Sequence, residues 1–177
     1  MHCLAPPPDD FTSTFHLHTT AVFSSAMAFL PLLHAGNQRK NTPQDAQILV
    51  TSSKEGYSRQ LGHSFAYSTS KAAVNHLVRM LARTFAQDHF RIRVNLIAPG
   101  FFPSAMTEPL TRSLPAYQDS HGAFAGASCL PSSKNPSERT GSEEDFAAAV
   151  LFFASPAGAY LNGAELLLDG GQNLISS

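Results

Sequence analysis

The chain has 177 residues, 43% hydrophobic and 14% charged, with 12 Lys and Arg against 13 Asp and Glu. These figures fit one globular domain with a real core and exclude a disordered chain, and the near-zero net charge leaves no field for drawing in nucleic acid or an anionic membrane. Two cysteines, Cys3 and Cys129, are too few for a disulfide framework and fit a reducing compartment.

Residues 1–10 contain Pro6-Pro7-Pro8 and then Asp9 and Asp10. They read as an irregular N-terminal segment, and two acids stand where a secretory signal needs basic residues. A helix is predicted over 14–34. Its apolar residues Phe15, Val22, Phe23, Met27, Phe29, Leu30, Leu32 and Leu33 spread around the cylinder, which predicts burial on more than one side. The apolar run from Ala21 to Leu33, broken by Ser24, Ser25 and Pro31, is too short to span a bilayer. A soluble, cytoplasmic protein is therefore expected. His34-Ala35-Gly36-Asn37 is the predicted stop, with a polar loop from Gln38 to Gln44.

Ile48-Leu49-Val50-Thr51 is short, apolar and β-branched, as buried parallel strands are. A glycine-dotted loop, 54–64, leads to a helix over 65–87 with Ala72, Ala73, Val74, Leu77, Val78, Leu81 and Phe85 on one wide face. A second strand is predicted over Arg91–Ile97, stopped by Ala98-Pro99-Gly100, and a loop-rich stretch from 101 to 140 follows. Loops of that length are often lids or binding loops. Ser142-Glu143-Glu144-Asp145 places acids at the start of a helix ending at Ala154, where the macrodipole favours them. Leu166-Leu167-Leu168 is a third strand, closed by Asp169-Gly170-Gly171. Helices alternating with strands predict an α/β fold with a parallel sheet.

The chemistry concentrates at Tyr67-Ser68-Thr69-Ser70-Lys71. Spacing of four at the head of a helix puts the phenol and the ammonium on one face. A fixed cation stabilises phenolate, which suits a tyrosine to proton transfer at a carbonyl. Ser52-Ser53, at the end of the first strand, offers a hydroxyl to hold the substrate oxygen.

Together, Ile48 to Ser53, Ala66 to Ala73, Arg91 to Gly100, Glu138 to Asp145, Tyr160-Leu161-Asn162-Gly163 and Leu168 to Gly171 resemble the short-chain dehydrogenase/reductase family, in the family's order from about Phe11 to Gly171. They look closest to carbonyl and 3-oxoacyl reductases, many of them fungal. The resemblance implies the last three strands, with their helices, of a Rossmann-like doubly wound sheet, so that 11–177 form a truncated domain of this family. It implies Tyr67 as the acid–base. Lys71 would favour the phenolate and bond the nicotinamide ribose, and Ser53 would orient the substrate carbonyl, with Ser52 as the fallback. Pro99 and Gly100 would open the loop beside the nicotinamide, Phe102 would give backbone contacts, and Ser104 or Thr107 would meet the carboxamide. The cofactor implied is NADP or NAD, the substrate a small carbonyl or alcohol, and the assembly a homo-oligomer. No nucleic acid, membrane or metal is expected.

The sequence departs from the family in two ways. No G-x-x-x-G-x-G or G-x-G-x-x-G occurs, so the glycine-rich turn that meets the pyrophosphate is missing. The chain is thus expected to start near the family's fourth crossover helix, with 1–10 as a replacement start, an exposed strand edge and a tendency to associate. The second departure is His18, five residues before Phe23, where the family usually has an Asn completing a proton relay. It reads either as a substitute for that Asn or as a helix histidine without a catalytic part. An inactive remnant or dimerising pseudoenzyme is the alternative function. Three other patterns fail on context. Gly62-His63-Ser64-Phe65-Ala66, with Asp119 and His121 following, approximates a hydrolase nucleophile elbow but lacks a strand leading into the serine. Ser68-Thr69-Ser70-Lys71 lacks the partner motifs of penicillin-binding enzymes. His16 and His18 splay apart on a helix and have no third ligand nearby.

Overall fold

The computed structural model describes residues 8–119, 121–122 and 124–176; Cys3 lies outside them. Helix α1 (Pro8–Phe15) runs through a π turn (His16–Thr20) into α2 (Ala21–Arg39), making one long rod. The rod begins at Pro8, inside the segment expected to be irregular. A proline is tolerated in a first turn, and Asp9 and Asp10 complement the dipole there. It also runs past the predicted stop. Lys40 takes the left-handed conformation (φ 53°), and the Asn37 side chain fastens the rod's end. Asn37 accepts from Ala46 N–H at 2.7 Å and donates to the carbonyls of Phe90 and Arg91 at 3.3 and 2.8 Å.

Strands β1 (Gln47–Thr51), β2 (Arg93–Pro99) and β3 (Glu165–Leu168) form a parallel sheet in the order β1-β2-β3. Helix α3 (Phe65–Gln87) connects β1 to β2. The short α4 (Glu108–Thr111) and α5 (Glu143–Ala154) lie between β2 and β3, and α6 (Gln172–Ile175) closes the described chain. The second strand starts two residues later than predicted because Arg91 adopts φ 55°, which no strand can use.

Alternation along β2 sends Val94, Leu96 and Ala98 to one face and Asn95 and Ile97 to the other. The first face, with Val50 of β1, packs on α3 and α2 through Val74, Val78, Leu81, Phe85 and Ala26. The second packs on α5 through Ala149 and Phe153. Asn95 is fully buried yet satisfied. It donates to Gln47 Oε1 and the Leu161 carbonyl at 2.8 and 3.0 Å and accepts from Ala164 N–H at 2.9 Å. Arg93 is buried beside it and bonds the carbonyls of Asp45 and Gly158.

The rod was expected to be buried on several sides, but only one side is covered. Ala26 is buried and Val22, Met27, Leu30 and Leu33 pack on the core, while Leu17 (66%), Phe29 (57%) and Leu32 (66%) are largely exposed. Along one flank, Leu17, Val22 and Phe29 line an open apolar groove whose other wall is β1. The rod's regular length from Asp9 to Arg39 is 31 residues and its apolar window has a mean hydropathy of 1.2, so length and composition alone would let it cross a membrane.

Candidate active site

The site gathers where the parallel strands end, the usual place for ligands in open α/β sheets. Ser52 N–H donates to the Ile97 carbonyl at 2.8 Å, extending the β1–β2 ladder by one residue. The Ser52 hydroxyl is taken up by the Asn75 side chain, with the Lys71 carbonyl also near, so this serine ties β1 to α3. Ser53 Oγ accepts from Glu55 N–H at 3.2 Å, capping the 3-10 turn Lys54–Gly56. Accepting leaves the Ser53 hydroxyl hydrogen free to donate.

Helix α3 starts where it does because Ser64 is its N-cap, accepting from Tyr67 N–H at 3.1 Å. That cap sets Tyr67 and Lys71 in the first two turns, on one face. Lys71 Nζ lies 5.6 Å from the centroid of the Tyr67 ring and donates to the Thr51 carbonyl at 3.3 Å. Burial pulls the Lys71 ammonium below the ordinary lysine value. Two imidazoles meet the Tyr67 ring edge-on, His18 at 5.3 Å and His63 at 5.4 Å between centroids. His18 Nδ1 is also 3.0 Å from Ser70 Oγ. Burial first, and the Lys71 charge second, hold His18 below the ordinary histidine value.

Pro99 ends β2, and Gly100 N–H donates to the Leu168 carbonyl at 2.9 Å. Gly100 sits so close to β3's end that an added Cβ would stand 2.7 Å from Asp169 Cα. The Phe102 ring packs edge-on against Phe146 at 5.9 Å and covers Gly141. Phe101, Phe102, Arg139, Asp145 and Asp169 line a small cleft of about 120 Å³ at this end of the sheet. Ser104 and Thr107 hydrogen-bond each other at 3.0 Å, and Thr107 Oγ1 donates to the Phe102 carbonyl at 2.5 Å. Ser53, Tyr67, Lys71, Pro99 and Gly100 thus share one end of the sheet, whereas Ser104 and Thr107 make their bonds within their own loop.

The chain is similar in sequence and fold to known proteins. A family model described as Enoyl-(Acyl carrier protein) reductase matches residues 2–173. The short-chain dehydrogenase/reductase PhomF of Diaporthe leptostromiformis is 36% identical over 165 residues, which are 93% of this chain and 53% of that protein. The rhamnolipids biosynthesis 3-oxoacyl-(acyl-carrier-protein) reductase of Pseudomonas aeruginosa is 34% identical over 168 residues, 95% of this chain and 59% of that one. A solved Pseudomonas aeruginosa structure, the RhlG/NADP active-site complex, superposes with a TM-score of 0.77 at 33% identity, covering 96% of this chain and 60% of that one. The chain belongs to the short-chain dehydrogenase/reductase family. It spans between half and three-fifths of the length of these relatives.

The structure disposes of the nucleophile-elbow pattern. Ser64 is a helix cap preceded by a loop, not the product of a strand, so it is no nucleophile elbow. The described residues hold no group of three or more metal-ligating side chains. Ser70 and His63 were missed as neighbours of the site. Ser70 lies inside the Tyr67–Lys71 span, but a serine there reads as filler. His63 stands four before Tyr67, a spacing that says little when the residue precedes the helix.

Proposed function

We propose that the chain is an NAD(P)-dependent oxidoreductase acting reversibly on a small carbonyl or alcohol, with Tyr67 as the acid–base. The observation that carries this reading is the Tyr67–Lys71 pair, 5.6 Å from ring centroid to ammonium, at the C-terminal end of the sheet. In reduction, Ser53 donates its free hydroxyl hydrogen to the substrate carbonyl oxygen, and Tyr67 delivers a proton to that oxygen as negative charge builds there. The Lys71 ammonium, beside the ring, stabilises the phenolate left behind.

The residues present suit the nicotinamide-ribose end of the cofactor. Lys71 has three N–H donors and, among the described residues, one acceptor, the Thr51 carbonyl, which leaves two donors for a ribose diol. Pro99, Gly100 and the Phe102 backbone border the same end of the sheet, with Ser104 or Thr107 as carboxamide partners once their loop bonds open. The cofactor, when bound, supplies or accepts the hydride. No glycine-rich turn for the pyrophosphate occurs in the sequence. NADP is favoured over NAD by likeness to the NADP complex.

Supplying NADPH and a panel of ketones and 3-oxoacyl esters tests the reading. NADPH oxidation should fall by about two to four orders of magnitude in Tyr67→Phe, with NADPH binding retained. Equal rates in the two proteins would refute the role of Tyr67.

A second reading is a chain that binds but does not catalyse. The exposed apolar side of the rod, with Phe23, Phe29 and Leu32, favours it, because such a side suits pairing of two copies. A homo-oligomer is compatible with both readings.

A further inference from the structure

His18 reaches the Tyr67 ring from a rod that departs from α-helical geometry at that point. Its π turn, His16–Thr20, is the kind of single-turn bulge frequent at functional sites. Two side chains of this turn converge on one buried residue of α3. His18 Nδ1 sits 3.0 Å from Ser70 Oγ, and Thr19 Oγ1 donates to the Ser70 carbonyl at 3.2 Å. Ser70 is fully buried, and its hydroxyl donates to the Tyr67 carbonyl at 2.8 Å.

One tautomer of His18 satisfies both Ser70 contacts at once. The Ser70 hydroxyl has one hydrogen and gives it to the Tyr67 carbonyl, so toward His18 its oxygen can only accept. Neutral His18 therefore carries its hydrogen on Nδ1 and leaves Nε2 as the site of any further proton. A proton there creates an imidazolium beside the Tyr67 ring edge, within reach of the Lys71 charge. The titratable and charged groups facing His18 are Tyr67 and Lys71 on α3 and His63 across the Tyr67 ring, with His16 on its own turn; β1 carries none.

We propose that His18 is a positioning residue for the Tyr67–Lys71 pair: its neutral imidazole, held by Ser70, packs edge-on against the phenol ring, and its protonation sets a second cation beside the pair and disturbs it. The inference rests on the oxidoreductase reading for its consequence in turnover, but not for its structural test. Because burial and Lys71 both disfavour the imidazolium, the disturbance sets in at a pH below the ordinary histidine value.

The test uses the whole chain labelled with ¹³C in its tyrosine rings. The Tyr67 resonance is the one that disappears in Tyr67→Phe. In the native protein it should move through a one-proton inflection below the ordinary histidine value. The inflection should vanish in His18→Phe and in His18→Gln, and persist in His63→Phe. A flat native resonance, or an inflection that survives in both His18 variants, overturns the proposal. In turnover, the native rate should drop about tenfold per pH unit below the inflection, and His18→Gln should show no such limb. Absence of all turnover would count against the oxidoreductase reading, while the resonance would still decide the role of His18.

Discussion

Tyr67 and Lys71 meet because Ser64 caps α3 three residues before the tyrosine, which brings both side chains to the end of β1. A second residue-scale device works at the far helix. Ser142 and Asp145 form a capping box at the head of α5, and Asp145 also holds Arg139, at 2.5 and 3.1 Å. Hydrogen bonding from Arg139, then the Ser142 bonds, holds the Asp145 carboxyl below the ordinary carboxylate value despite partial burial. A carboxylate depressed in the folded state stabilises fully above its unfolded value and loses that contribution as pH falls through the folded one. Asp145→Asn should cost about 1–3 kcal/mol near neutrality. In urea unfolding, the gap between native and variant midpoints should close as the pH is taken down through the acid range. A gap that stays constant with pH would contradict this account. Tyr67, Lys71 and the acids of α5 were readable from sequence because spacing on a helix decides which face they share. The contact of His18 with the Tyr67 ring was not, since it depends on how the rod docks on α3, and His63 lies in the loop before α3, where helical spacing does not apply.

Among the elements, α3 lies where its apolar spacing puts it, and the Ser64 cap that fixes its start is seen only in the structure. The rod was harder. Its π turn is set by contacts with Ser70, more than 50 residues away, which no local pattern announces. The start of β2 was misplaced because Arg91 sits in a left-handed conformation and pairs with Asp45 at 2.9 Å, a tertiary contact. The sheet's packing gives a sharper expectation. Leu96 is fully buried at the centre of β2, and Leu96→Ala should destabilise by about 2–5 kcal/mol through lost contacts and a residual cavity. Leu151, on the outer side of α5 and 67% exposed, should tolerate alanine within about 0.5 kcal/mol. Similar losses at both positions, measured by chemical denaturation, would mean that the sheet's core is not where the structure puts it.

For the whole molecule, the chain spans about half to three-fifths of the length of its relatives, and β1 stands with one edge unpaired beside an apolar groove. Unpaired edges and broad apolar surfaces favour association. Sedimentation should show a species larger than the monomer whose share grows with protein concentration, and Phe23→Glu with Phe29→Glu should shift it toward monomer. One monomeric species at all concentrations would remove the pairing reading. The central claim, that the Tyr67–Lys71 end of the sheet serves a nicotinamide cofactor, is tested most directly by titrating NADPH into the chain and following its fluorescence. Saturable binding at micromolar NADPH, about −8 kcal/mol, weakened in Lys71→Met, is the expected result. No binding up to millimolar NADPH would contradict it.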